Sequence, residues 1–317
     1  MKIIQLIAQR LALGILSLFL VSVLIFAGTE ILPGDVATAI LGRSATADAI
    51  ANIRRDLGLN DPAIFRYFHW LFSFIQGDLG VSLSNGQDIA HSIARRLSNT
   101  LFLAGTAAVA SIPLAVILGM VAVHYKDGFI DKFISLTTLA AISLPEFFVG
   151  YMLIMIFGMN LGWFDPIVTI SDSMSFYERL YAIILPVMTL TMVVLAHMMR
   201  MTRAAILNVM TSSYIETAEL KGLSGKVVIF FHAFPNAISP IINVVVLNMA
   251  YLVVGVVVVE VIFVYPGMGQ YMVDHVAKRD VPVVQACGLI FGGIYIFFNL
   301  TADIISIISN PRLRHPR

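Results

Sequence analysis

Long apolar runs separated by short polar stretches organise this chain. Six runs are long enough for a helix of about 20 residues, which at 1.5 Å per residue crosses roughly 30 Å of hydrocarbon. They cover approximately 11–31, 100–124, 133–159, 180–200, 238–263 and 283–308. The runs are continuous rather than alternating, so they predict helices and not barrel strands. Two polar stretches are more than plain connections: an outer loop over 32–99 and a loop over 211–237. In the first, "ATADAIANIRRDLGL" predicts a short helix capped by Thr46 and stopped near Gly58. "NDPAIFRYFHWLFSFIQG" predicts a second, with Asp61 and Pro62 as cap and first-turn pair and Gly77 as its end. Its aromatic residues, Phe65, Tyr67, Phe68, Trp70, Phe72 and Phe74, suit a helix near the lipid headgroups or on the outer face of the protein.

Composition agrees with a membrane protein. Of 317 residues, 59% are hydrophobic and 12% charged, with mean hydropathy +0.90; a soluble domain has roughly 45–50% apolar and about 25% charged residues. The net charge of +1 says nothing about nucleic acid, and no basic block long enough to suggest a nucleic-acid partner occurs, so none is expected. Cys287, the single cysteine, has no internal disulfide partner and reads as a packing residue. The first run is longer than the apolar core of a signal peptide and lacks a clean cleavage site after it, so it is read as a retained span. Lysine and arginine set the orientation. With a cytoplasmic N-terminus, Lys2, Arg10, Lys126, Lys132, Arg200, Arg203, Lys221, Lys226, Arg312, Arg314 and Arg317 all fall inside, against Arg179, Lys278 and Arg279 in short outer loops. Both termini and the loop over 211–237 are therefore expected in the cytoplasm. The histidines show no metal-ligand spacing, and Asn299-Leu-Thr301, a glycosylation sequon, lies within a span.

The loop between spans four and five, "YIETAELKGLSGKVVIFFHAFPN" (214–236), is the polar anomaly of the chain. Tyr214, Ile215, Ala218 and Leu223 form a partial apolar stripe, and Gly222 is suited to the left-handed conformation that ends a helix. A second short segment from about Ser224 leads to Pro235, so two short helices with a glycine corner are expected to make a knob. Such a knob is either a solvated connector or a docking element that moves two spans together when pushed.

Glu216, Thr217, Ala218, Gly222, His232, Phe234 and Pro235 resemble the "EAA" loop of bacterial ABC importer permeases. Thr217 stands where the broad motif has Ala, and His232 where it has Ile. The run from His232 to Pro240 is instead similar to the dipeptide/oligopeptide branch of that family. "ILPGDVATAI" (31–40), "LGLNDPAIFRYFHWLFSFIQGDLGVSL" (57–83), "IARRLSNTLFLA" (93–104), "VVEVIFVYPGMG" (258–269), "RDVPVVQA" (279–286) and "NPRLR" (310–314) resemble the same branch in the same order. The resemblance implies an all-α membrane permease of six spans, of the type I importer kind, in the bacterial inner membrane. It further implies a second homologous permease, two ATPase subunits that bind ATP and Mg, and an external solute-binding protein delivering a peptide or peptide-like solute. Glu216, Thr217, Ala218 and Gly222 would then carry the coupling helix, with His232 and Pro235 at its exit.

The chain itself has no phosphate-binding loop, since Gly225-Lys226 is followed by Val and lacks the upstream glycine. No enzyme activity and no cofactor of its own are expected. Charged residues within spans are functional candidates by default, because insertion scales put their cost at roughly 2.5–3.5 kcal/mol. Glu260 is expected to bond the Pro266–Gly269 turn, with Gly267 and Gly269, and Asp303 to pair with Arg312 or Arg314. Glu146, after the helix-breaking Pro145, is a candidate for the solute path. Gly288-x-x-x-Gly292, beside Gly293, is expected to let span six pack closely. Two other classes fit part of the pattern: a secondary transporter relaying protons through Glu146, Glu260 and Asp303, and a membrane scaffold.

Overall fold

The computed structural model describes residues 2–31, 46–56, 60–171 and 173–309. Arg43, Gly58 and the "NPRLR" tail lie outside the described residues, as does 32–45 of the outer loop. Among the described residues there are helices and connecting turns but no strand, only one isolated antiparallel bridge between Val81 and Asp88. In order the helices are α1 (Lys2–Ile31), α2 (Ala47–Asp56), α3 (Ala63–Ile75), α4 (Ile89–His124), α5 (Phe129–Ser143) and α6 (Glu146–Leu153). Then come α7 (Phe176–Ala182), α8 (Ile184–Met210), α9 (Ser213–Leu220), α10 (Phe234–Ile262), α11 (Met268–Ala277) and α12 (Val281–Ser309).

Five of these are long and apolar enough to cross a membrane, four of them α1, α4, α8 and α12. The fifth is α10 together with its N-terminal extension, a 38-residue helix over Gly225–Ile262. The third predicted span is not a straight helix. It is a pair, α5 followed by α6 and a wider π-helical turn over Ile154–Asn160, bent by 100°. Proline explains the bend: the residue before it is pushed out of the helical region, and Leu144 sits at φ −88, ψ 132. We call the end of the bundle where α1 starts the proximal face and the opposite end the distal face.

The outer-loop helix α3 also starts differently from expectation. Pro62 occupies the capping position and makes no side-chain cap bond. Asp61 instead accepts through its backbone carbonyl from Arg66 Nε at 3.1 Å. Gly77 ends this segment with φ +85, a conformation that suits glycine. One side of α3 packs on α1, where the Tyr67 hydroxyl meets Ser22 Oγ at 2.7 Å and its ring lies between Phe19 and Phe26. The other side leaves Ile64, Phe65, Phe68 and Phe72 exposed.

Lipid tails are as apolar as leucine, so spans associate by close packing rather than by escape from water. The α1–α12 contact follows that rule. A side-chain carbon at Gly292 would lie 2.9 Å from Val21, and one at Gly288 would lie 3.2 Å from Ile25. The main core joins α4, α8, α10 and α12 through fully buried residues including Leu103, Leu190, Met198, Val256 and Cys287. A second, separate apolar cluster occupies the proximal face.

Candidate functional site: a proximal knob, a bent span and a distal carboxyl cluster

The proximal cluster holds the loop that the sequence singles out. Ile215 and Ala218 of α9 point inward against Met120 and Val123 of α4, Ile206 of α8, and Ala237 and Ile241 of α10. Tyr214 and Leu223, the other members of the expected stripe, are exposed instead. Glu216, Thr217, Glu219 and Lys221 are also exposed. Gly222 takes φ +80 and turns the chain, with its N–H donating to the Glu219 carbonyl at 2.9 Å. The predicted second short helix does not exist as a separate piece. From Gly225 the chain is helical through a π-helical turn at Val228–Ala233 directly into α10. Proline lacks the N–H that a helix interior needs. Here Pro235 follows the wide turn, and Asn236 Nδ2 donates to the His232 carbonyl at 2.7 Å, occupying an acceptor close to the break. His232 is half-buried within that turn, while Pro235 is exposed.

An ion pair that the sequence reading missed sits beside the knob. Arg203 of α8 grips Asp131 of α5 through two bonds, Nε to Oδ1 at 2.9 Å and Nη2 to Oδ2 at 2.7 Å. Asp131 also accepts from the Asp127 backbone N–H at 3.0 Å and is 3% exposed. A signal was available: both residues lie at the same predicted end of neighbouring spans, where an acid and a base have reason to pair.

Glu146 starts α6 at the bend. Its Oε2 accepts from the Tyr251 hydroxyl of α10 at 3.5 Å, a weak contact, and its Oε1 is buried with no donor among the described residues. Beyond it, Gly150 of α6 packs beside Ile262 and Phe263.

At the distal face Glu260 is fully buried. Its Oε2 accepts from the backbone N–H groups of Gly269 at 2.7 Å and Gln270 at 3.0 Å, and its Oε1 from Thr100 Oγ1 at 2.5 Å. Thr100 Oγ1 in turn accepts from the Met268 N–H at 2.8 Å. Gly267 and Gly269 are required by space: a side-chain carbon would come within 2.0 Å of Glu260 Oε1 at the first and 2.8 Å of Val257 Cα at the second. Asn99 extends the network. Its Nδ2 donates to the Pro266 carbonyl at 2.9 Å, and its Oδ1 accepts from Arg179 Nη2 at 3.1 Å. Nearby, buried Asp280 accepts from Ser82 Oγ, Leu83 N–H and Ser84 N–H, binding the end of the outer loop to the start of α12. Thr100, Asn99 and Asp280 carry no mark in the sequence that separates them from ordinary loop-end polar residues. Asp303 pairs with Arg10 of α1 at 3.0 Å. Its expected partners Arg312 and Arg314 lie outside the described residues.

Taken as a class, this is a multi-pass helical membrane subunit whose polar machinery sits at both ends and at one broken span. Residues 111–315 match the family described as the inner membrane component of binding-protein-dependent transport systems, and residues 3–104 match its N-terminal region. The chain belongs to that family. It is similar to the glutathione transport system permease protein of Escherichia coli, with 36% identity over 97% of this chain and 98% of the relative. It is also similar to the "Probable peptide ABC transporter permease protein" of Sinorhizobium fredii, with 32% identity over 98% and 99% of the two chains. It is thus the permease component of an ABC importer, a translocation subunit whose ATPase is a separate chain. The family gives no support to the proton-coupled alternative.

Proposed function

We propose that this chain forms half of a translocation path for a peptide or peptide-like solute. Its partners would be a second homologous permease, two ATPase subunits that bind ATP and Mg, and a solute-binding protein on the outer side. The names of the relatives support the solute class, since they concern glutathione and peptides. The excess of lysine and arginine at the proximal end supports an orientation with both termini and the α9 knob in the cytoplasm.

The observation that carries the mechanism is how α9 is held. Its inner side is packed into a cluster shared with the ends of α4, α8 and α10, so a push on α9 is transmitted to three spans. Its outer side leaves Glu216, Glu219, Leu220 and Leu223 uncovered, and Phe230 and Phe231 are exposed nearby. An exposed apolar patch rimmed by charge is the surface expected of a protein contact. In this reading Glu216, Thr217 and Gly222 face the ATPase, Ala218 seats the helix, and His232 and Pro235 shape its exit. Glu260, Gly267, Gly269 and Asp303 are structural. Glu146 lines the path, its buried oxygen, without a donor among the described residues, being the partner for the ammonium group of a solute.

The test is reconstitution of the complete importer in liposomes. ATP-dependent accumulation of trialanine or glutathione is expected, and Glu216→Lys with Glu219→Lys should abolish it while leaving the chain in the membrane. Accumulation driven by an imposed proton gradient without ATP would overturn the reading. Glu146→Gln should weaken uptake of cationic peptides relative to neutral ones; equal uptake of both would remove Glu146 from the path.

A further inference from the structure

The bent pair α5–α6 is attached to the rest of the bundle in an uneven way. No residue of α5 belongs to the proximal apolar cluster that seats the knob. Phe129, Phe133, Leu136 and Leu139 along α5 are exposed, and Asp131, Ile134 and Thr138 turn inward. Among the described residues, the side-chain hydrogen bonds from α5 to another helix are the two from Arg203 to Asp131. Asp131 is fixed further by the Asp127 N–H, so the turn that starts α5 is folded onto the same carboxylate.

Arg203 stands near the end of α8, and only Thr211 and Ser212 separate α8 from the knob helix α9. A bidentate guanidinium–carboxylate pair fixes both separation and rotation, which apolar contacts do not. At its other end α5 runs into the Leu144–Pro145 break and Glu146. The bonded sequence is therefore α9, α8, Arg203, Asp131, α5, bend.

We propose that the Asp131–Arg203 pair is a positioning joint. It makes α5 follow α8, so that displacement of the knob arrives at the bend and moves Glu146 relative to Tyr251. This rests on the reading of α9 as the ATPase contact. A merely structural pair would hold the chain together without carrying motion between the two ends.

The experiment places spin labels at Leu136→Cys on α5 and Met201→Cys on α8, both exposed, in the complete importer in liposomes; the native cysteine is buried. The distance between labels is measured without nucleotide and in an ATP–vanadate trap. The intact joint should give the same distance in both states. Asp131→Asn keeps an acceptor for the Asp127 N–H but loses the ion pair. It should separate the two states, keep ATP hydrolysis within about twofold, and lower trialanine or glutathione uptake roughly tenfold, a typical coupling.

A distance that changes between states with the joint intact overturns the proposal. So does normal uptake per molecule by Asp131→Asn with only a reduced amount of folded chain. If Asp131→Asn fails to accumulate, the label pair on the unaltered joint decides alone. The knob reading fails separately, by normal uptake in Glu216→Lys with Glu219→Lys, whatever the label distances do.

Discussion

The two faces of this bundle are held by different forces. At the distal face Glu260, Thr100, Asn99, Arg179 and Asp280 join helix ends and loops through short directional bonds, most of them to backbone groups. At the proximal face Ile215, Ala218, Val228, Ile229 and Ala237 meet through apolar contact, with the Asp131–Arg203 pair beside them. Directional bonds fix register, and a shift of one ångström breaks them. Apolar contact has no preferred direction and tolerates sliding. The difference assigns the faces unlike mechanical roles: a distal end that keeps its geometry, and a proximal end that accepts displacement.

The contrast can be broken at either end. The largest effect is expected at Gly267, where even alanine would drive a carbon into the Glu260 carboxyl. Gly267→Ala should cost about 3 kcal/mol by overpacking and lost bonds, read as a lower thermal transition of the detergent-solubilised chain. An unchanged transition would mean that the distal knot is slack. Ile215→Ala removes a fully buried side chain and should cost roughly 2 kcal/mol locally. Its expected signature differs: faster amide exchange in α9 and reduced ATP-dependent uptake, with the global transition little changed. Equal loss of global stability from both variants would erase the distinction between the faces.

Thr100→Val is a narrower probe, since it removes one donor to Glu260 and one acceptor for Met268 N–H while keeping shape. About 1–3 kcal/mol is expected in the same thermal assay, because both partners are left buried and unpaired. The smallest effect belongs to α7, where Ser175 and Glu178 form a reciprocal cap. The bonds from the Ser175 backbone and hydroxyl hold the Glu178 carboxyl below the usual carboxylate range. The stabilisation from the Glu178 carboxylate is therefore complete above that range and lost as the pH falls through the lowered value, while the bond from the Glu178 N–H to the Ser175 hydroxyl does not titrate. Ser175→Ala removes the hydroxyl half, which does not titrate, and should speed amide exchange in α7 at neutral and acid pH alike; an effect confined to neutral pH would mean that the hydroxyl acts only through the carboxylate.

Much of the fold was legible because its spans are long and apolar, and the Gly222 corner was legible because few residues suit that conformation. What escaped the sequence reading has physical causes. Pro235 reads as a helix stop, yet the π-helical turn before it and the Asn236 side-chain bond carry the helix through. Pro145 lies inside an apolar run that reads as one span, and nothing in hydropathy distinguishes a straight helix from one bent by 100°. Glu260, Gly267 and Gly269 stood out as charge and glycine within a short stretch, but Thr100 and Asn99 meet them only across more than 150 residues of chain. The knob's exposed side was misjudged at Tyr214 and Leu223, because a helix of eight residues is too short for its stripe to define one face.

The 100° bend has one more consequence. α5 has 15 residues, so the break lies about 22 Å from its start, short of the roughly 30 Å that a hydrocarbon layer measures. Residues 142–145 are exposed there, and backbone outside a helix is tolerated at that depth only against protein or water. The Leu144 N–H and the Pro145 carbonyl are bonded within the chain, so what a solitary copy in lipid would leave to be solvated is the carbonyls at the end of α5. Its spans are written into one polypeptide, but the solvent for its bend has to be supplied by something else.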